Sequence, residues 1–374
     1  MSFKIKIFHE FNNDLEKIWK NFETESSNYC FQSYYWLKNW YLNLENKKKI
    51  EIFNVLVYDD DRLISILPLS IENNKGIKFL KWQGGDRSDY MCGLFSKSIL
   101  LKKTDFFYLW KLIKKDISSF DIVYFEKQPK FIENLINPFV SYFKVFKDSF
   151  SSSVILEDTF EVFQKKNLKK KFIDDTKRRL NNLNKNGKIK FNIYNNLDKN
   201  KQKKITQEIL NQKTLRVKDL KLKNIFDQKS QDFYLNFDNS NFNNGYLHIS
   251  SLELNGELIS LHWGVVYKKI FYHLMPSISK SEYMKYSPGR ILLQYLIKWS
   301  IDNNIKKLDF TIGDEQYKKD WSNRNEFLFS YLESNTIFYL LNYFLLYIKI
   351  ILKNFLKRFA ILKKTYRLIS RILR

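Results

Sequence analysis

Apolar residues alternate with polar ones in short segments of the chain and recur every three or four residues in longer ones. The first pattern predicts β-strands and the second predicts amphipathic helices. The triplet Asp59-Asp60-Asp61 lies between two such strands and predicts a turn rather than a metal site. Up to residue 148 the pattern predicts strands at 52–57, 63–67, 77–81 and 121–125, and helices at 14–22, 35–44 and 105–115.

A similar series follows from residue 149 onward. Asn255-Gly256, between two apolar runs, is the strongest hairpin signal in the chain. Gly187 predicts the end of a long basic helix. The predicted strands are 152–156, 189–193, 246–254, 258–266 and 270–275, and the predicted helices are 161–183, 199–215 and 230–237. The two halves share an order of elements but no obvious sequence repeat.

The last forty residues have a different composition. Residues 335–352 are apolar and aromatic, but Asn342 and Lys349 interrupt them. Beyond them no acidic residue occurs, and the basic residues fall on one side of a helical wheel, which predicts an amphipathic basic helix or helix pair. Such a helix could bind an anionic membrane surface or pack on the body of the protein. It could also span a bilayer, although its apolar stretch barely reaches the length that a span requires. The pattern leaves these three possibilities open.

Composition and charge narrow the function. A chain of 374 residues with 44% hydrophobic residues is long enough for two ordinary domains. The net charge of +24 suggests a nucleic-acid partner, but the excess lysine is spread along the chain rather than clustered.

Cys30 and Cys92 are isolated, so neither a zinc site nor a disulfide framework is expected. The N-terminus has no apolar run typical of a secretory signal. We therefore expect a cytoplasmic protein.

One turn is a candidate anion-binding site. Ser287-Pro288-Gly289-Arg290-Ile291 opens an apolar helix that extends to about residue 303. Backbone N–H groups at the positive end of a helix bind phosphate or pyrophosphate groups. Proline in the first turn is equally a good helix start without any ligand. Spacing alone does not separate these interpretations.

Several short motifs, taken in order, resemble a known family. The chain is similar to the BioF2-like or CelD-like acetyltransferases of the GNAT superfamily, which are related to the Fem-type aminoacyl transferases. The resemblance covers roughly residues 25–330. It rests on Phe31-Gln32-Ser33 with Trp36 and Trp40, on residues 66–69 and 84–90, on the basic helix 171–183, on residues 286–289, and on residues 309–315 with Tyr317, Lys318 and Trp321.

The resemblance implies an α+β fold of tandem GNAT-like domains, each a mixed, mostly antiparallel sheet flanked by helices. Residues 1–148 would form a degenerate first domain, 149–333 the domain that binds the acyl donor, and 334–374 the basic tail. The implied activity is direct transfer of an acetyl or other acyl group from acyl-CoA to an amine or hydroxyl, without a metal. The acceptor would be a sugar or cell-envelope precursor, either a small molecule or lipid-linked, reached at the inner face of the cytoplasmic membrane if residues 335–374 dock there.

Two alternatives remain open at this point. One is Fem-like aminoacyl transfer from a charged tRNA, the one nucleic acid that the resemblance admits. The other is a non-catalytic adaptor that binds a membrane or a polyanion. No serine-hydrolase, zincin or P-loop motif is present in the sequence, which disfavours those enzyme classes.

The resemblance also implies roles for particular residues. The donor pyrophosphate would sit at Ser287, Pro288, Gly289, Arg290 and Ile291, facing the N–H groups of the last three. Lys318 would stabilise an oxyanion or bind an acceptor phosphate. Glu315 would act as a general base or cap a short helix. The full set of catalytic candidates is Lys318, Asp309, Glu315 and Tyr317.

A second group of residues is expected to contact the acceptor. Asp89 and Tyr90 would border the acceptor cleft in the first domain. Arg178 and Arg179 would hold a phosphorylated acceptor or form a solvated face. His262, on a predicted strand, would serve as a polar contact or base, or lie hydrogen-bonded in the core.

Overall fold

A computed structural model describes residues 2–44, 47–99, 101–117, 119–194, 198–219, 228–238, 242–335, 344–348 and 352. The chain divides into two compact units. The first comprises Met1–Ser149 and Phe327–Arg374, and the second comprises Phe150–Glu326. The predicted boundaries at 148 and 333 stay a prediction of functional domains. Apart from 334, 335, 344–348 and 352, the predicted tail lies outside the described residues.

Strands and helices are interspersed along the described chain. Up to residue 155 they are β1 (Phe3–Phe8), α1 (Asn13–Glu25), β2 (Ser26–Ser27), α2 (Tyr34–Leu42), β3 (Ile50–Asp59), β4 (Arg62–Asn74), β5 (Ile77–Trp82), β6 (Leu94–Ser96), α3 (Lys103–Asp116), β7 (Ile122–Pro129), β8 (Phe131–Ile132), β9 (Leu135–Ile136), α4 (Pro138–Tyr142) and β10 (Val145–Ile155).

The later elements include the longest helix and the hairpin predicted at Asn255-Gly256. They are α5 (Phe160–Asn167), α6 (Lys170–Asn184), β11 (Ile189–Ile193), α7 (Lys199–Asp219), α8 (Gln228–Leu235), β12 (Gly245–Leu254), β13 (Glu257–Tyr267), β14 (Ile270–Ile278), α9 (Pro288–Asp302), β15 (Lys307–Ile312), α10 (Gln316–Trp321) and β16 (Arg324–Ser334).

The sheet of the first unit has the strand order β1-β3-β4-β5-β7-β16. All neighbouring pairs are antiparallel except β5 and β7, which run parallel and share two residue pairs, Phe79 with Ile122 and Leu80 with Val123. Helix α3 connects these two strands in the chain, as a parallel pair requires. Beyond their short pairing, Trp82 stacks on Phe125 with ring centroids 4.4 Å apart. Aromatic side chains therefore fill the space next to the parallel pair.

The sheet of the second unit has the order β10-β15-β14-β13-β12-β11. Again one pair is parallel: β14 and β15 share three residue pairs, ending at Tyr272 and Asp309. Helix α9 makes the crossover, and its apolar face packs in the core through Ile291, Leu296 and Ile297. The predicted fold class, α+β with mostly antiparallel sheets flanked by helices, is confirmed.

Local sequence explains where elements begin and end. The hairpin predicted at Asn255-Gly256 is confirmed: both residues have positive φ (51° and 87°), which the mirror-image turns of short hairpins require. The single helix predicted at 161–183 is wrong, because the chain breaks between α5 and α6. Leu168 is extended there (φ −116°, ψ 142°) and buries its side chain in the core. Burial of that side chain overrides the continuous helical pattern.

Among the described residues, no helix combines the length and apolarity that crossing a bilayer requires.

The packing of aromatic side chains beside β5 and β7 predicts that a substitution there lowers the stability of the first unit. Trp82 is 2% exposed and has Phe125 and Phe139 as ring neighbours. We expect Trp82→Ala to lower the free energy of unfolding by about 3–5 kcal/mol, through lost burial and a residual cavity. Urea unfolding of the full chain measures this. Tyr108→Ala, at a side chain that is 55% exposed, serves as the control and should cost less than about 0.5 kcal/mol. Equal losses would contradict the assignment of Trp82 as a core residue.

Candidate active site

The turn before α9 is held in a left-handed conformation. Ser287 has φ 55° and ψ 58°, and its carbonyl oxygen accepts from the Arg290 amide at 2.9 Å and the Ile291 amide at 3.3 Å. Pro288 has no N–H, so the Gly289 amide is the terminal donor of the helix. The Arg290 and Ile291 amides already donate within the first turn, so in this conformation the Gly289 amide is the one of the three that is directed away from the helix. That these residues bind a donor diphosphate stays a prediction.

Gly289 has a packing role that the sequence did not indicate. A Cβ atom at this position would lie 2.9 Å from Cδ1 and 3.2 Å from Cγ1 of Ile278, at the end of β14. Real Cβ atoms do not approach other atoms so closely. The missing side chain therefore lets the N-terminus of α9 approach the end of β14.

Three arginines converge on one carboxylate beside this turn. Asp175, on α6, accepts from Arg178 at 2.5 Å, Arg179 at 2.8 Å and Arg290 at 2.7 Å. Arg179 also donates to Ser287 Oγ at 2.9 Å and to the Lys285 carbonyl at 3.1 Å. The structure thus brings Arg178, Arg179, Arg290 and Ser287 together. One carboxylate does not neutralise three guanidinium groups, so the cluster keeps an excess positive charge.

The charge of Asp175 depends on these contacts. The hydrogen bond from Arg179, then that from Arg178, holds the pKa of the Asp175 carboxyl well below its usual range. The Arg290 guanidinium also lies 4.3 Å from the centre of the Phe172 ring, close enough for a cation–π contact. Ion pairs and this cation–π contact therefore hold helix α6 against the start of α9.

The exposed side of α6 forms an open, basic groove. Its volume is about 490 Å³, and its lining comes entirely from α6: Lys170, Lys171, Asp174, Asp175 and Arg178. Arg178 leaves 71% of its side chain exposed. Arg178 therefore fits the solvated face that the sequence left open, while Arg179 is the better buried of the two arginines.

Lys318 lies in a very different environment. The residue is 4% exposed, and its Nζ atom donates to the Ile312 carbonyl at 2.7 Å and pairs with Glu315 at 3.1 Å. Gly313, with φ 146°, gives these groups room: a Cβ there would lie 2.5 Å from Lys318 Nζ. The short helix α10 and the preceding glycine thus fix a buried ammonium at the end of β15. Glu315, at 56% exposure, reaches it from the solvent side.

A row of rings leads from Lys318 into the sheet. Tyr317 lies 6.1 Å from His273, and His273 stacks on His262 with centroids 4.3 Å apart. Burial lowers the pKa of His273 to about 3, with a further contribution from the charges of Lys318 and Lys213. Burial also lowers the pKa of His262, and it raises that of Tyr317 well above its usual range. Both imidazoles are therefore neutral at neutral pH, which disfavours either as a resting cation.

Asp309 supports the backbone rather than the Lys318 cluster. Its side chain is fully buried, pairs with Lys307 at 2.9 Å and accepts from the Thr311 amide at 2.8 Å. Thr311 has φ 56°, which is strained for a β-branched residue. Strained residues of this kind cluster at functional sites. The contacts of Asp309 therefore suit stabilisation of a bend in β15 better than proton transfer.

The two candidate residues of the first unit, Asp89 and Tyr90, differ in how deeply they are buried. Tyr90 is 3% exposed, packs on Tyr29 and Phe31, and its carbonyl accepts from Gln32 at 2.7 Å. Asp89 is half-buried. Tyr90 is thus a core residue, and Asp89 remains the candidate for contact with a polar acceptor.

Sequence reasoning missed two residues of the second unit. Asp175 was one acidic residue in a basic helix, and only the fold showed that Arg290 reaches it. Lys213 was one lysine among many. Its helical spacing from the buried Thr206, Ile209 and Leu210 was the available signal, since positions three, four and seven residues apart share a helix face.

The candidate site combines three features. The parallel strands β14 and β15 separate, the crossover helix α9 connects them, and cationic side chains lie on both sides of the opening. Ligands in sheets with parallel strands bind outside the carboxyl ends of the strands. A comparison with family models finds a match in this part of the chain. Residues 170–319 match the acetyltransferase (GNAT) domain. The match contains α6, the turn at Ser287, the opening between β14 and β15, and Lys318.

Solved structures share the fold over a longer stretch. A structure of FemX aligns with a TM-score of 0.60 at 9% identity, covering 90% of this chain and 100% of that one. L-PGS from Bacillus licheniformis aligns at 0.53 and 10% identity, covering 92% and 98% of the two chains. A conserved protein of unknown function from Bacteroides thetaiotaomicron aligns at 0.54 and 10%, covering 88% and 99%. No curated protein matches the sequence. At these identities the likeness concerns the fold.

Within the described residues, no three histidine, cysteine, aspartate or glutamate side chains lie close enough together to hold a metal ion.

The arginine cluster around Asp175 predicts a pH-dependent stability effect. Because the folded-state pKa of Asp175 is depressed, its stabilisation is present above the unfolded pKa of about 3.9 and is lost as pH falls through the folded value. We expect Asp175→Asn to lower the free energy of unfolding by about 1 kcal/mol at pH 7 and pH 5, and by less at pH 3.

Urea unfolding at the three pH values measures this effect. Asp174→Asn changes the neighbouring exposed carboxylate and is the matched control, which should have little effect at any pH. A loss for Asp175→Asn that does not shrink at pH 3 would show that packing, not charge, explains it.

Proposed function

We propose that this protein is a GNAT-type acyltransferase that takes an acetyl or other acyl group from acyl-CoA. The observation that carries the proposal is the opening between β14 and β15, which pair over three residue pairs and then separate within the range matched by the GNAT domain. An extended thioester arm fits such an opening, because the strand edges beyond Tyr272 and Asp309 present backbone groups that are not paired with each other.

The residues around the opening suit an acyl-CoA donor. The diphosphate would lie against the Gly289 amide, with Arg290 and Arg179 able to exchange their contacts with Asp175 for contacts with phosphate oxygens. The cluster already holds one carboxylate between three guanidinium groups, which supports an anion in this place. A donor bound there would supply the activated acyl group.

Lys318 is the residue that we expect to assist transfer. Its ammonium is buried and held by the Ile312 carbonyl and Glu315, so it is oriented before any substrate binds. A fixed positive charge in a site of low polarity stabilises the negative charge that develops on the carbonyl oxygen during attack. Tyr317 and His273 form the neighbouring wall and exclude water. Asp309 contributes by holding the bend at Thr311.

The acceptor proposed here is an amine or hydroxyl of a sugar or cell-envelope precursor. Arg178 and the lysines of the α6 groove are exposed and suit a phosphorylated acceptor. Asp89 stays a separate candidate, within the first unit, for a hydrogen bond to a polar ligand. Docking on an anionic membrane through residues 335–374 belongs to the same proposal, and would place the enzyme at the cytoplasmic face of the membrane.

One observation favours a second donor. The exposed cations of α6 and of the residue before it offer a surface for a nucleic-acid backbone; they include Lys169, Lys170, Lys171 and Lys177. The alternative is Fem-like aminoacyl transfer from a charged tRNA at the same Lys318 site.

Calorimetric titration of the full-length chain with acetyl-CoA at moderate salt tests the donor. We expect micromolar binding by the parent protein and binding at least about tenfold weaker for Gly289→Asp, equivalent to about 1.4 kcal/mol. The aspartate would place a negative charge at the helix terminus. Gly289→Ala is the matched control, because it adds the same Cβ without charge. The nearest atom is the end of the Ile278 side chain, which can shift aside, so this variant should bind almost as well as the parent.

Absence of acetyl-CoA binding by folded protein would contradict the acyl-CoA proposal. Binding of charged tRNA that weakens steeply with salt would then favour the aminoacyl donor. Equal losses in Gly289→Asp and Gly289→Ala would mean that packing against Ile278, rather than charge, explains the effect.

A further inference from the structure

The two oxygen atoms of the Asp175 carboxylate have different partners. Its Oδ1 atom pairs with Arg178 at 2.5 Å, whereas its Oδ2 atom pairs with both Arg179, at 2.8 Å, and Arg290, at 2.7 Å. Two guanidinium groups thus meet at one oxygen atom beside the first turn of α9. Guanidinium groups suit phosphate oxygens as well as they suit carboxylate oxygens. The carboxylate of the protein itself therefore marks a position for an anion.

Both arginines at this oxygen atom have further contacts that do not involve the carboxylate. Arg179 uses its Nη1 atom to donate to Ser287 Oγ at 2.9 Å and to the Lys285 carbonyl at 3.1 Å. The Arg290 guanidinium lies 4.3 Å from the centre of the Phe172 ring. The turn and an aromatic ring therefore hold the two guanidinium groups in place, and their positions do not depend on the carboxylate alone.

Asp175 can release the two inner arginines without leaving its own charge unpaired. Its side chain is 25% exposed and lines the open groove of α6 together with Lys170, Lys171 and Arg178. Because Arg178 pairs with the Oδ1 atom, a carboxylate that withdraws its Oδ2 atom keeps an ion pair on the groove side. Solvent and the basic groove then receive the released oxygen atom. Another anion can therefore replace the carboxylate between the inner arginines.

We propose that Asp175 is an internal competitor, whose carboxylate occupies a phosphate-binding position between Arg179 and Arg290 until a phosphorylated ligand displaces it. This inference rests on the proposed function and adds the residue that sets the affinity of that same site. A tethered carboxylate is present at a high effective concentration, so a ligand displaces it by offering more negative charge and more oxygen atoms. A diphosphate, or the phosphate of an acceptor, offers both.

Calorimetric titration of the full-length protein with inorganic pyrophosphate, at pH 7 and fixed ionic strength, tests the competition. We expect Asp175→Asn to bind pyrophosphate at least about fivefold more tightly than the parent, equivalent to about 1 kcal/mol, because the competitor is gone while both arginines keep their other contacts. Asp174 is exposed and lines the same groove. Asp174→Asn removes the same charge and is the matched control, which should change the affinity by less than about twofold.

Two further variants locate the effect. Asp175→Glu keeps the competing charge, so its affinity for pyrophosphate should lie closer to that of the parent than to that of Asp175→Asn. Adding Arg179→Met to Asp175→Asn removes one of the two inner guanidinium groups, and should weaken pyrophosphate binding at least about tenfold relative to Asp175→Asn. Urea unfolding shows that each variant is folded under the conditions of the titration.

Three results would overturn the proposal. Weaker binding of pyrophosphate by folded Asp175→Asn would make Asp175 a residue that positions the arginines. An unchanged affinity, or an equal gain in Asp174→Asn, would mean that the carboxylate does not compete or that net charge alone explains the effect. Undiminished binding after Arg179→Met would place the pyrophosphate elsewhere on the protein.

Titration of the same variants with acetyl-CoA separates this inference from the proposed function. A parallel gain in acetyl-CoA affinity for Asp175→Asn would assign the position to the donor diphosphate. If pyrophosphate binding responds as expected but acetyl-CoA binds neither the parent nor the variant, the acyl-CoA donor is wrong and the position serves another phosphorylated ligand, such as the acceptor. If acetyl-CoA binds and Asp175→Asn changes neither affinity, the donor proposal stands and Asp175 is not a competitor.

Discussion

The short parallel pairing of β14 and β15 is the constraint on which the second unit depends. A parallel pair needs a crossover, and α9 supplies it with an apolar face that covers the sheet. Because only three residue pairs join the two strands, the sheet opens beyond Tyr272 and Asp309. The strained Thr311 lies near the end of β15, and Gly313 and the buried Lys318 come shortly after that strand. The fold thus concentrates its unusual backbone conformations where the two strands separate.

Positive charge is in excess on both sides of this opening. Asp175 is shared by three arginines, and Glu315 by Lys318 and, electrostatically, Lys213. Each carboxylate keeps several cations in place without neutralising them, so the site stays positive and ordered. Repulsion between like charges normally destabilises a folded protein. Such repulsion at two neighbouring charge clusters is reasonable if an anionic or electron-rich substrate balances the positive charge.

The two units show how one arrangement of elements serves different purposes. Each contains a parallel strand pair joined through a helix, β5-α3-β7 in the first and β14-α9-β15 in the second. In the first, Trp82 and Phe125 stack beside the pair and form a core. In the second, polar rings and cations occupy the corresponding region: His273, Tyr317 and Lys318. The side chains, and not the topology, therefore distinguish a packed strand pair from a candidate site.

By itself, the sequence determined the class of fold and singled out the stretch that holds the candidate site. Alternating and periodic apolar residues identified the strands and helices, Asn255-Gly256 identified the hairpin, and the motifs around Gly289 and Lys318 pointed to the stretch that matches the GNAT domain. These signals are local: each depends on residues within a few positions of one another. The break at Leu168 escaped them because burial in the core, a non-local contribution, outweighed local helix preference.

Only the tertiary structure decided which groups meet. Asp175 and Arg290 are far apart in the chain but form an ion pair at 2.7 Å. Lys213 is an ordinary lysine in the sequence, but α7 packs against the sheet and burial lowers the pKa of this lysine. Tyr90 looked available for substrate until its burial against Tyr29 and Phe31 was visible. Charge coupling and burial depend on distances between elements, and these distances are set by the packing of the whole unit rather than by neighbouring residues.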